Sequence, residues 1–377
     1  MRPVYLDNNA TTRVDPAVVA AMLPFFTDQF GNASSSHAFG SEVAGAVRQA
    51  RKSLQALLGA AFDHEIVSTA VEHPAILSLV EHLRDRRGVT VHLIGVDAAG
   101  RLDLDAYKRA LGPRTAIASV MWANNETGTL FPIPELARLA HDAGALFHTD
   151  AVQAVGKIAI DLKSAGVDML SLSGHKLHGP KGIGALYVRK GTPFAPLVRG
   201  GPQERRRRGG TENVPAIIGL GKAAELAAHH LADEQGRVRA LRDRLEQGIL
   251  QGAGHCAVLG DPAQRLPNTA NIAFQHVEGE PIVMRLNQAG IAASLGSACA
   301  SGSMEPSHVL RAMNVATDLL RGAVRFSLSR DTTDDDIDRV LQVLPDIVGR
   351  LRETSPAWLQ HHPSPSADAL RPTELTQ

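Results

Sequence analysis

The chain has 377 residues, 39 basic and 39 acidic side chains, and 44% hydrophobic residues. That length supports a large core and more than one domain, and a zero net charge gives no electrostatic reason for a nucleic-acid or membrane partner. Two cysteines, Cys256 and Cys299, exclude a disulfide framework and suit a reducing cytoplasm.

The first residues, MRPVYLDNNATT, lack the basic start and apolar run of a signal peptide. No apolar stretch is long enough to span a bilayer. Residues 43–60 carry helical spacing, with Val43, Val47, Leu54, Leu57 and Leu58 as core positions. Residues 89–96, 115–123, 145–150 and 167–173 are short, apolar and rich in β-formers, as in a sheet covered on both faces. The segment ELARLAHDAG between two of them completes a βαβ unit with parallel strands. GIGALYVRK follows SLSGHKLHGPKG closely, so two strands are joined by a loop that carries Lys176 and Lys181. After about residue 215 the pattern changes to a smaller α+β half: an Ala- and Arg-rich helical run, two strand-like segments, and a helix opening at TTDDDID. That last helix places Ile337, Val340, Leu341, Leu344 and Ile347 on one face, and Pro345 should kink it. The predicted division is 16–235 for a large domain, with 1–15 and 236–358 forming a small one. A disordered tail is predicted over 359–377.

A lysine in a Gly- and His-rich loop is most simply a solvated cation. Its surroundings argue for more. Asp150 ends an apolar strand, and ligands of open α/β sheets bind beyond such strand ends. A carboxylate there, a lysine on a later loop and a polar third strand end, WANNETG, suit pyridoxal phosphate. That cofactor needs a lysine for its Schiff base and a carboxylate at its ring nitrogen.

The chain resembles the cysteine desulfurases of the nitrogen-fixation type, within fold type I and aminotransferase class V. The resemblance rests on VYLDNNATT, QFGNASSSHAFG, VEHPAILS, SVMWANNETGTLFP, FHTDAVQAVGK, SGHKLHGPKG, RRGGTENV, LPNTANIAF, GSACASGS and VRFSLSR, in that order. It implies an α/β fold with a mostly parallel large-domain sheet, helices on both faces and a smaller α+β domain. It assigns Lys176 to the Schiff base, with Lys181 as a structural neighbour. Asp150 goes to the ring nitrogen, Gln153 and Asn125 to ring substituents, and His73 to stacking and proton movement. Ser173 and His175 go to the phosphate, and Thr211 to the phosphate of a partner subunit, which implies a homodimer. Arg325 and Asn32 would hold the substrate carboxylate. Cys299, set among small residues in a loop where a thiol is accessible, would receive sulfur from L-cysteine as a persulfide. L-Alanine would leave, and the sulfur would pass to an iron–sulfur scaffold or another acceptor serving nitrogenase assembly. Cys256 reads as filler in a strand.

One feature departs from the resemblance. The family carries a strand, a Gly-Thr turn and a helix between its first long helix and VEHP, and that turn helps bind the phosphate. Here GAAFDHEIVSTAVEHP runs straight through, so about one βα unit is absent. Ser68 and Thr69 are expected in the residual strand. Two other readings stand beside the desulfurase. One is another class V activity, such as selenocysteine lyase or an aminotransferase. The other is a degenerate, non-catalytic subunit that docks sulfur acceptors. ERRRRGG reads as a solvated loop, since a nucleic-acid patch would interleave aromatics. His175 and His178 lack the further ligands of a metal site.

Overall fold

The structure is a computed structural model that describes residues 4–29, 65–296 and 306–362, together with Val43 and Ala46. Both isolated residues are helical, and Val43 is buried. The rest of the predicted 43–60 helix, Asn32 and Cys299 lie outside the described residues.

The principal sheet contains β2 (Glu65–Thr69), β3 (Thr90–Ile94), β4 (Thr115–Ser119), β5 (Leu146–Asp150), β6 (Met169–Ser173) and β7 (Gly184–Val188); β1 (Val4–Tyr5) belongs to another sheet. Its order is β3-β2-β4-β5-β6-β7. All pairings are parallel except β6 with β7, which are antiparallel and joined by the lysine loop. β2 is buried along its whole length, as both-face coverage requires. Strand order reverses between β2 and β4, so those two strands diverge at a switch point.

The helices follow from local chemistry. α1 (Pro16–Met22) opens on Asp15, whose carboxylate accepts from the Ala17 N–H, with proline at the first position. α2 (Pro74–Arg87) opens in the same way on His73 and ends on Gly88 in the left-handed region. α3 (Ile133–Asp142) is the crossover from β4 to β5 and buries Ile133, Leu136, Ala137 and Ala140. The spacing of these four is that of one helical face.

Beyond α4 (Val214–Asp233), a π-helical turn over Glu234–Val238 leads into α5 (Arg239–Ala253). β8 (Cys256–Leu259), β9 (Thr269–Phe274) and β11 (Ala323–Ser327) form an antiparallel sheet, while β1 pairs in parallel with β10 (Ile291–Ala292). α6 (Gly279–Gln288) and α7 (Asp334–Glu353) cover them. Val4 and Leu6 share a core with Val238, Phe274, Phe326 and the buried face of α7.

Thr333 caps α7 in a reciprocal capping box with Asp336. Ile337, Val340, Leu344 and Val348 are fully buried, whereas Leu341 and Ile347 pack at the edge of that core. Each fully buried aliphatic contributes roughly 1.5–3 kcal/mol of transfer free energy. α7 continues through Pro345 as a single element. The proline ring lies over Gly252 of α5, where a Cβ would sit 3.0 Å from its Cγ. A final helix, α8 (Pro356–His361), extends ordered chain past residue 358, where sequence alone starts a disordered tail. Ser355 explains the difference: its hydroxyl caps α8 at Trp358 and also donates to the His276 carbonyl.

Candidate active site

Seven of the residues singled out by sequence, His73, Asn125, Asp150, Gln153, Ser173, His175 and Lys176, lie at the carboxyl ends of the parallel strands. His73 follows β2, Asn125 follows β4, Asp150 ends β5 and Gln153 lies just beyond it. Ser173 ends β6, and His175 and Lys176 form the single 3-10 turn after it. Each parallel strand except β3 thus delivers at least one chemical group to the same rim, as the switch-point geometry predicts.

Asp150 is the electrostatic centre of this rim. One carboxylate oxygen accepts from the Val152 N–H at 2.9 Å. Burial raises its carboxyl above the usual carboxylate range, and the Val152 bond and the charges of His73 and Lys176 pull it back. His73 shifts down, chiefly by burial; Asp150 opposes that shift, while Lys176 and His308 add to it. Its Nδ1 accepts from the Ala75 N–H at 3.1 Å, so the proton of the neutral ring belongs on Nε2.

Sequence reasoning gave no role to the residues that fix Lys176. The Lys176 ammonium donates to the Asn9 carbonyl. Gln153 Nε2 donates to that same oxygen at 3.2 Å, and Asn9 Nδ2 donates to the Asn125 carbonyl at 3.1 Å. Thr12 joins the segment to the lysine loop by donating to the His175 carbonyl and accepting from the His178 N–H. The signal was the polar run LDNNATT directly after a strand-like start. The buried Asn124, not Asn125, organises the turn after β4: its Oδ1 accepts from the N–H groups of Glu126 and Thr127.

Arg325 sits in the middle of β11 with only 1% of its side chain exposed. It pairs with Asp7 at 2.8 Å and donates to the carbonyls of Asn125 and Gly296 at 2.8 and 2.9 Å. Its Nε is buried without a partner. The fork is therefore preorganised at the rim, with Asp7 holding one arm.

The family model for aminotransferase class V matches residues 4–70 and 62–340. The chain belongs to the aminotransferase class V family. A cysteine desulfurase of Gluconacetobacter diazotrophicus is 65% identical, with 95% of this chain and 96% of the relative covered. The cysteine desulfurase NifS of Azotobacter vinelandii is 57% identical over 96% and 97% of the two chains. Among solved structures, a NifS-like protein superposes with a TM-score of 0.85 at 33% identity, covering 93% of this chain and all of that one. The likeness identifies the mixed sheet as that of fold type I.

Class V members use pyridoxal phosphate, and the residues of this rim fit its ring. A buried carboxylate that accepts from the Val152 N–H suits a cationic ring N–H, and a primary amine beside it suits an aldehyde carbon. The phosphate side is thinner. Ser173 makes no side-chain cap to the turn after β6, and Thr211 is exposed. His175 Nδ1 lies 3.2 Å from the Thr11 hydroxyl, and burial, with Lys176, Lys181 and Lys157 nearby, pushes its pKa down to about 4.

Ser68 and Thr69 belong to β2, as their sequence context predicts. They are fully buried and bonded to the Ser119 carbonyl and the Glu72 carboxylate. Neither is available to a phosphate. The two matched stretches of the class V model overlap at residues 62–70. The alignment with the Gluconacetobacter relative runs over 385 positions, more than the 377 residues of this chain, so that relative has residues without counterparts here.

Proposed function

We infer that the protein is a pyridoxal-phosphate-dependent cysteine desulfurase. The observation that carries this reading is Lys176 beside Asp150 at the strand-end rim of a class V chain. The bound cofactor supplies an aldehyde for amine exchange and a ring that stabilises charge next to the substrate α-carbon. Lys176 holds the cofactor and, once released, moves the α-proton. Asp150 keeps the ring nitrogen protonated. Gln153 and Asn125 orient the ring substituents. His73, neutral with its proton on Nε2, covers the ring face and passes protons near neutral pH.

Arg325 and Asn32 receive the carboxylate of L-cysteine. Arg325 Nη1 donates to the Asn125 and Gly296 carbonyls and Nη2 to Asp7, which leaves Nε and the second Nη2 N–H to meet the substrate carboxylate. L-Cysteine and the Cys299 thiol yield L-alanine and a Cys299 persulfide. The substrate C–S bond breaks, an S–S bond forms, the carbon is reduced and both sulfurs are oxidised. The persulfide then passes its outer sulfur to an acceptor thiol, with an iron–sulfur scaffold for nitrogenase assembly as the recipient. The working unit is a cytoplasmic homodimer in which Thr211 reaches the partner's phosphate.

The absent Gly-Thr turn leaves Ser173 and His175 with a larger share of the phosphate. Cofactor retention is therefore weaker than in intact relatives, and activity depends on added cofactor. Splicing the Gluconacetobacter relative's extra segment between His64 and Glu65 should tighten the cofactor dissociation constant; an unchanged constant would remove that explanation.

The test of function is incubation with pyridoxal phosphate and L-cysteine, reading alanine and, with a reductant, sulfide. Cys299→Ala should abolish sulfur transfer and leave the cofactor absorption in place. Unchanged sulfide release from that variant would overturn the assignment. A protein that binds cofactor and releases no alanine would favour the non-catalytic docking subunit.

A further inference from the structure

Gln153 stands between two neighbours with opposite hydrogen-bonding demands. On one side, Lys157 Nζ donates to its Oε1 at 3.3 Å and to its backbone carbonyl at 3.0 Å. On the other side, its Nε2 donates to the Asn9 carbonyl at 3.2 Å. An ammonium can only donate and a carbonyl can only accept, so the two together settle which end of the amide faces which way. Asn9 lies on the Lys176 side of the amide, because the same carbonyl also receives the Lys176 ammonium. The N–H end of Gln153 is thus directed toward the rim.

Local structure forces Lys157 into this position. Gly156 has φ of 77°, and a Cβ there would lie 2.8 Å from Leu177 Cδ2. Only glycine meets both conditions, and the resulting bend folds Lys157 back onto Gln153, four residues earlier. Both side chains are buried, with 6% and 5% exposure. A buried ammonium is costly unless it is compensated. The compensating group is Glu234, which opens the π-helical turn between α4 and α5, a local irregularity that often marks functional positions. Glu234 Oε2 is itself buried with no hydrogen-bond partner. A cavity of about 20 Å³ is lined by Lys157, Glu234 and Lys176 and has room for one water. Burial lowers the Lys157 pKa to about 8 and raises that of Glu234 to about 7, and each pulls the other back toward its charged form.

We propose that Lys157 is a positioning residue that locks the Gln153 amide with its N–H toward the phenolic oxygen of the cofactor, with Glu234 as its counter-charge across the cavity. This rests on the cofactor reading above. A donor at the phenolic oxygen stabilises the more negative, deprotonated chromophore. Releasing the amide to rotate weakens that stabilisation, so the bound cofactor loses its proton at higher pH.

The experiment follows the pH midpoint of the visible band of the cofactor-loaded protein. The variant Lys157→Met is combined with Glu234→Gln so that no buried charge is stranded. Its midpoint should rise by about one unit, the worth of one hydrogen bond to a charged group. In a Gln153→Leu background, the same pair of substitutions should move the midpoint no further. Lys157→Leu with Glu234→Gln, which also removes the donor, should give the same upward shift and replaces the methionine variant if that one does not fold. An unmoved midpoint in a variant that carries a normal band overturns the proposal alone. An equal shift with and without Gln153 also overturns it, since Lys157 would then act by another route. A wild-type protein that takes up no cofactor, or a band indifferent to Lys176→Ala, overturns the cofactor reading and this inference with it.

Discussion

The residues proposed for the cofactor ring and those proposed for its phosphate are held differently at the strand-end rim. On the ring side, Asp150, Gln153 and Lys176 are tied to Val152, Lys157 and Asn9, and Gln153 is almost wholly buried. On the phosphate side, Ser173 and His175 are only half-buried, Thr211 is exposed, and Ser68 and Thr69 are consumed inside β2. Preorganised groups in a low-dielectric setting need little rearrangement to act on a ligand. Exposed ones must desolvate and order as they bind. The contrast assigns chemistry to the first side and affinity to the second.

The sharpest way to break this assignment is Lys176→Ala, which should lower alanine formation by about 10⁴-fold, whatever the cofactor concentration. Full activity at saturating cofactor would move the chemistry elsewhere. Asp150→Asn keeps the shape and removes the charge, and should cost about 10²–10³-fold in turnover with the cofactor still bound. A loss confined to affinity would place Asp150 on the other side of the comparison. Ser173→Ala should do the reverse: the cofactor dissociation constant, followed by fluorescence titration, rises about tenfold, and turnover at saturation stays near the wild-type value.

The smallest effect concerns Glu72, buried behind Asp150. Its Oε1 accepts from the Met121 N–H at 2.7 Å and from Thr69 at 3.0 Å, and its Oε2 has no partner. Burial raises its pKa to about 8; the Met121 and Thr69 bonds oppose that shift, and Asp150 adds to it. The folded value therefore lies above the unfolded one. This group's contribution to stability is complete below the unfolded pKa and is lost as pH rises toward 8. Glu72→Gln removes that loss. Melting curves should show the variant gaining on the wild type between pH 5 and pH 8, by a few degrees; a constant difference would mean that Glu72 is already ionised in the fold.

Much of the scaffold was legible in the sequence. The apolar runs at 115–123, 145–150 and 167–173 became β4, β5 and β6, each ending in the groups singled out there, because alternation of short buried strands with an amphipathic helix is a local signal. Thr333 and its acidic neighbours announced the α7 cap for the same reason. The helix through Pro345 was legible too, but the packing of its ring on Gly252 and the extension of the chain into α8 were not. Both depend on what lies opposite, Gly252 in one case and the His276 carbonyl in the other.

The sequence by itself therefore determined the order of strands and helices and the placement of Asp150 and Lys176 at strand ends, since both follow from periodicity along the chain. Tertiary structure decided the company these groups keep. Asn9 meets Lys176 across 167 positions, and Asp7 meets Arg325 across 318. Those partnerships rest on hydrogen bonds and Coulomb attraction between groups that only folding brings within reach. They fix the direction of the Gln153 amide and hold the Arg325 fork in place.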